Sequence, residues 1–166
     1  MSEKLHGLFR ASIRPITPAD FEFVRTLAAK FPTFTVPSDF LLWFFSQYHP
    51  DYCRILEHDD GSPKAYLLAM PTTEPQKGLS VWQVAASAPN QPFALEYFIA
   101  YLRDLIDRTE ADSIFFSASQ DVRTLRLIRS LAKRFFDCDV TQVHPVPAGQ
   151  SEWEFRISPI RRQKQM

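Results

Sequence analysis

Runs in which apolar residues recur every three or four positions alternate along this chain with short runs that are apolar almost throughout. Phe21, Val24, Leu27, Ala28 and Phe31 have the first spacing and predict a helix. Its start is well marked: Thr17 suits an N-cap, Pro18 the first helical position and Asp20 the first turn. The preceding ASIRPIT reads as a short strand, and Pro32 breaks the helix. Ser38 then caps a second helix, DFLLWFFSQYH, which is apolar on nearly every face.

Two apolar runs, in CRILEHDDGSPKAYLLAM, flank Asp59-Asp60-Gly61 and predict a hairpin, with the Asp-Gly pair supplying positive φ. After the loop TTEPQKG come a strand, LSVWQVAAS, and a helix from Phe93 to Asp107. On that helix Phe93, Tyr97, Phe98, Tyr101, Leu102 and Leu105 share a face. DSIFFSAS is apolar almost throughout, as a central strand would be. Asp121 caps a last helix, VRTLRLIRSLAKRFF, then VHPVPAGQ reads as a loop and SEWEFRIS as the closing strand. The tail RRQKQM reads as solvated. The order β-α-α-β-β-β-α-β-α-β predicts one mixed α/β domain.

Composition narrows the field further. A hydrophobic fraction of 45% with 14% aromatics can fill a sizeable core in 166 residues. Nineteen basic residues balance nineteen acidic ones, so charge gives no reason to expect nucleic acid or an anionic membrane as partner. The opening MSEKLHGLFRASIRP lacks an apolar signal core, and no run has the roughly 18 apolar residues of a membrane span. Cys53 and Cys138 are far apart and not in CxxC spacing, so a disulfide is possible but unforced, and free buried thiols in a reducing cytoplasm are the preferred reading. A cytoplasmic protein is expected. His6, His49, His58 and His144 show no ligand spacing with each other or with the cysteines, so no metal is expected.

The stretch SVWQVAASAPNQPFALEY runs from strand to helix, an arrangement that binds phosphate in many folds. Such loops normally use glycine, whereas here Asn90-Gln91-Pro92-Phe93 occupy the turn.

That element order, with a hairpin ahead of the strand–helix step, resembles the GNAT superfamily of coenzyme A-dependent N-acetyltransferases. SVWQVAAS resembles the Val-Trp-Gln-Val-Ala segment of its diaminobutyrate acetyltransferase branch, and FPTFTVPSDF, the cysteine of DYCRILE, RLIRSLAKRF and SEWEFRI agree in order and spacing. The resemblance covers residues 12–158 and implies a single GNAT-like domain over 1–166, with a mixed sheet and acetyl-coenzyme A as donor. It implies that Val84, Ala85 and Ala86 pair through their backbone with the pantetheine arm, an N–H of that strand polarising the thioester carbonyl. A plain core strand explains the same small residues.

The family's phosphate loop reads Gln/Arg-x-x-Gly-x-Gly/Ala, and the matching positions here are Pro89, Asn90, Gln91, Pro92, Phe93 and Ala94. Ala94 is an accepted variant, while Pro92 removes an N–H donor and Phe93 adds bulk, leaving a weakened anion site. Asp121 and Thr124, at the start of the last helix, complete the implied cofactor set. Toward the acceptor the resemblance assigns Thr35, Phe40, Trp82 and Glu152. Thr35 and Phe40 replace an aspartate and a tyrosine of the branch, and Gly149 replaces a histidine, so a small amine or amino acid other than diaminobutyrate is expected. Glu152 is the candidate base that frees the amine, the alternative being an exposed strand carboxylate. The last helix offers Ile128 where many members place a thiolate-protonating tyrosine. His144 reads as a surface residue, Trp82 as pocket wall or core, and Arg123, Arg126 and Arg129 as a solvated helix face sooner than as partners of the coenzyme's phosphates. The all-apolar second helix points to a homodimer or to a lid over the acceptor.

Overall fold

The computed structural model describes residues 11–73, 77–87, 91–119, 122–138, 140–144 and 152–157. Seven strands occur among them: β1 (Ala11–Pro15), β2 (Cys53–His58), β3 (Pro63–Thr72), β4 (Gly78–Ala86), β5 (Ser113–Ser119), β6 (Val140–His144) and β7 (Glu152–Ile157). Four helices accompany them: α1 (Phe21–Ala28), α2 (Asp39–Tyr48), α3 (Gln91–Thr109) and α4 (Val122–Phe136). The strands hydrogen-bond in the order β1-β2-β3-β4-β5-β7-β6, with β4 and β5 parallel and the pairs β1–β2, β2–β3, β5–β7 and β6–β7 antiparallel. This is the expected mixed α/β sheet, with β5 inside it.

Two compact units divide the chain: Met1–Met70 with Gln83–Leu95, and Pro71–Trp82 with Glu96–Met166. In the first, a single 3-10 turn (Pro18–Asp20) precedes α1. The buried Asp20 carboxylate accepts from the Thr17 amide at 2.8 Å and takes both terminal nitrogens of Arg14, at 2.7 and 2.8 Å. Arg14 also pairs with Glu57 on β2, so one guanidinium ties β1, the turn and the hairpin together. Burial alone would raise the Asp20 pKa, but the bonds from Arg14 and Thr17 outweigh it and hold the carboxyl below its ordinary range. The β2–β3 turn follows its sequence signature. Gly61 has φ +75, and Asp60 accepts from the Ser62 amide and hydroxyl at 2.9 and 2.6 Å. Val24, Leu27, Ala28, Leu42, Phe45, Ile55, Leu56 and residues 65–69 form the core of this unit.

In the second unit α3 buries Phe98, Leu102, Leu105 and Ile106, and α4 buries Ile128, Leu131, Ala132 and Phe136. Arg123, Arg126 and Arg129 lie on the exposed face of α4, as its periodicity predicts. Three expectations are corrected. Helix α1 ends at Ala28, with Ala29 as its cap, so Phe31 falls in the turn that follows. Helix α3 begins at Gln91, so its first turn includes Pro92. Val143 and His144 belong to β6, which pairs with β7 in a register setting His144 opposite Glu154. A five-residue strand paired on one side has too short an apolar run for periodicity to reveal it.

Candidate functional site

Strand β4 does two things along its length. Gly78–Val81 pair in parallel with Ser113–Phe116 of β5. Close approach is what Gly78 supplies: a Cβ there would lie 2.8 Å from the Ser113 carbonyl oxygen and 3.0 Å from the Phe115 ring. Among the described residues that pairing ends at Val81 opposite Phe116, while β4 itself continues to Ala86. Its last four residues, Gln83–Ala86, belong to the first unit together with the start of α3.

That strand end is firmly held. Ser87 donates to the Lys64 carbonyl of β3 through its amide at 3.0 Å and its hydroxyl at 3.1 Å. Ala85 and Ala86 are buried and Val84 is half-buried. Gln83, only 4% exposed, accepts from the Tyr66 hydroxyl at 3.0 Å and donates to the Thr35 carbonyl at 2.7 Å. Burial pushes the Tyr66 phenol well above its ordinary pKa, so it is a neutral donor at physiological pH. Gln83 thereby links the β3 phenol to the loop between α1 and α2. Nothing in the chain's spacing signals this network.

Helix α3 starts five residues beyond Ala86. Within its first turn Pro92 is exposed, Phe93 half-buried and Ala94 fully buried. The first four amides of a helix have no partner inside it, so a proline here costs the helix no bond. It does remove one of the donors that an anion at the helix end would use. The dipole at that end is unaffected.

The remaining expected residues distribute as follows. Thr35 and Phe40 are exposed in the first unit, the former bonded through its carbonyl to Gln83. Trp82 is half-buried on β4 in the second unit. Glu152 opens β7, in register with Ser119 of β5. Thr124 lies in the first turn of α4, and Ile128 is 7% exposed on the same helix. Pro89, Asn90, Asp121 and Gly149 lie outside the described residues. Val84–Ala86, Gln91–Ala94 and Thr35 thus belong to one unit, and Trp82, Glu152 and Thr124 to the other. Cys53 and Cys138 are buried and neither is in a disulfide. No cluster of metal-ligating side chains occurs among the described residues. Among the same residues, no helix is long and apolar enough to cross a membrane.

No family model and no curated protein matches the chain. Solved structures do. The diaminobutyrate acetyltransferase EctA from Paenibacillus lautus, in complex with L-2,4-diaminobutyric acid and coenzyme A, superimposes with a TM-score of 0.71 at 22% identity, over 91% of this chain and 96% of that one. A ribosomal-protein-alanine N-acetyltransferase from Escherichia coli gives 0.63 at 12% identity, over 94% and 98%. An acetyltransferase of the GNAT family from Listeria monocytogenes gives 0.60 at 11% identity, over 92% and 96%. Identities this low speak for architecture alone, and the architecture agrees over nearly the whole of each chain. The fold of this protein is that of the GNAT acetyltransferases.

Proposed function

We propose that the chain is a coenzyme A-dependent N-acyltransferase, moving an acetyl or related acyl group from the thioester directly to a small amine or amino acid. The observation that carries this reading is the end of β4. Val84–Ala86 run past the β5 pairing with small side chains and lead within a few residues to a helix N-terminus. Such a strand end offers main-chain donors and acceptors to an extended arm, and the helix end offers amides and a positive dipole to a diphosphate. The EctA structure holds coenzyme A and its amine substrate in the same fold.

Acetyl-coenzyme A supplies the activated thioester. In this reading the main chain of Val84–Ala86 holds its pantetheine arm, and an N–H of that strand stabilises charge developing on the carbonyl oxygen. The resemblance assigns Gln91, Pro92, Phe93 and Ala94, with Asp121 and Thr124, to the phosphate end, and Thr35, Phe40, Trp82 and Glu152 to the acceptor; in this reading Glu152 takes a proton from the acceptor's ammonium group so that the nitrogen lone pair is free. The nitrogen bonds to the acyl carbon as the carbon–sulfur bond breaks. Ile128 brings no proton to the leaving sulfur, so solvent does. Residues 1–166 act as one GNAT-like domain, in the cytoplasm and without a metal.

Pro92 favours a second reading, in which the fold binds a ligand or partner and no longer catalyses. Thermal denaturation with acetyl-coenzyme A separates the two. A rise in Tm is expected, about 2–3 kcal/mol of stabilisation at a hundredfold excess over Kd. No shift at about 1 mM ligand, which means a Kd no better than millimolar, overturns the acyltransferase reading.

A further inference from the structure

One buried side chain of β4 reaches the segment that precedes α2. Gln83 stands immediately before Val84, and its Nε2 donates to the Thr35 carbonyl while its Oε1 accepts from the Tyr66 hydroxyl. The direction of this chain of bonds is fixed. Burial keeps Tyr66 uncharged, with one proton to give, and a main-chain carbonyl can only accept. Turned over, the amide would set its oxygen against the Thr35 oxygen, so one orientation alone satisfies both neighbours. The segment itself has few other anchors. At one end a turn closes Phe34 on Phe31, amide to carbonyl at 3.0 Å, with the rings stacked 4.9 Å apart. At the other, Ser38 caps α2 through the Leu41 amide at 3.2 Å. Between them Thr35 and Val36 are exposed, and Pro37 is buried with no N–H to give. Among the described residues, the bond from Gln83 is the one hydrogen bond tying Thr35–Pro37 to a strand.

We propose that Gln83 is a positioning residue for acyl transfer, holding the Thr35 segment beside the strand end that takes the thioester and so setting the amine against the acyl carbon. The proposal rests on the acyltransferase reading, in which Val84–Ala86 hold the pantetheine arm and Thr35 lies on the acceptor side. A glutamine side chain is short, so its bond brings the Thr35 main chain up to β4 at the residue next to Val84. Donor and acceptor are then held from adjacent residues of one strand, the first by main chain and the second through a side chain. Transfer between two bound groups is fastest when their separation is fixed in advance, and neighbouring positions on a strand fix it. The strand is itself secured to β3 on either side of the site, by Tyr66 through Gln83 and by the Lys64 carbonyl through Ser87. Gln83, Thr35, Tyr66 and Val84–Ala86 all belong to the first compact unit. The bond takes the Thr35 carbonyl and not its side chain, which stays exposed. Gln83 thus acts through Thr35 without touching the substrate.

Two variants of the full chain separate positioning from core filling. Gln83→Met removes both bonds, whereas Tyr66→Phe removes the phenol and leaves the bond to Thr35. Tm should fall in each. Acetylation of L-lysine, putrescine and phenethylamine is followed as thiol released from acetyl-coenzyme A, with coenzyme A affinity measured in parallel by titration calorimetry. For the amine, kcat/KM should fall about tenfold or more in Gln83→Met and stay within about twofold in Tyr66→Phe. The coenzyme A Kd should stay within about twofold of wild type in both. Should Gln83→Met not fold, Gln83→Leu is measured in its place. Equal losses in the two variants overturn the proposal, since a side chain that only fills the core would make them alike. An unchanged kcat/KM in Gln83→Met overturns it too, as does a loss there that coenzyme A affinity matches. A wild type that binds coenzyme A and acetylates none of these amines overturns it for want of an acceptor side. A wild type that binds no coenzyme A is a different result, which overturns the acyltransferase reading and the proposal with it.

Discussion

Gln83 is a buried polar residue between Trp82 and Val84 of β4, and its two hydrogen bonds account for it. Gln83→Met keeps the length and removes both bonds. The Tyr66 hydroxyl, fully buried, then loses its acceptor, while the carbonyl of the exposed Thr35 can turn to water. A loss of about 1–3 kcal/mol is expected in urea denaturation, together with faster amide exchange in the loop around Thr35. Unchanged exchange there would show that the loop does not depend on Gln83. At the helix end, Pro92→Gly with Phe93→Gly restores a donor and clears space, so titration calorimetry should show tighter coenzyme A binding, by about 1–2 kcal/mol for a charge-assisted bond. Glu152→Gln keeps size and hydrogen bonding but not basicity. If Glu152 frees the amine, kcat should fall about a hundredfold or more with a milder effect on KM for the thioester, and equal losses of stability and activity would mark it as structural.

Elements were legible in the chain where local chemistry decided them. The β2–β3 hairpin was announced by Asp-Gly, α4 by its periodicity, and β5 by a run that is apolar almost throughout. Legibility ended where the determinant was distant. Gln83 meets partners 17 and 48 residues away, and β6 exists only because β7 supplies its bonds. The strand–helix step could be read in sequence, but not the point at which β4 leaves β5, because pairing is a property of two strands. The entry to α1 gives an element-scale prediction. Asp20 has a folded pKa below its unfolded value, so its stabilisation is complete above the unfolded value near 3.8 and is lost as pH falls through the folded one. Asp20→Asn should therefore cost about 2–4 kcal/mol at neutral pH by leaving Arg14 without its partly buried partner. The variant's stability should also change less with pH below about 4 than that of the parent, as read by thermal melts across an acid series.

For the whole molecule, nineteen positive and nineteen negative side chains leave no net charge at pH 7, beside an exposed aromatic face on α2. Colloidal repulsion is then weakest near the isoelectric point of about 6.9. Solubility should pass through a minimum within about one pH unit of neutrality, measured by polyethylene glycol precipitation between about pH 5 and 9, and Trp43→Glu should both raise the minimum and shift it to lower pH.

Two thiols are present, and neither meets solvent: Cys53 is 0% and Cys138 5% exposed. Burial pushes the Cys53 thiol up to about 12, and its sulfur donates to the Ala69 carbonyl. The folded chain is consequently inert to alkylating reagents that attack a thiolate, and each cysteine becomes reactive only when the segment around it opens. One of them sits in each compact unit. Pulsed maleimide labelling followed by mass spectrometry would therefore time the opening of either half separately, with the native sequence as its own clock.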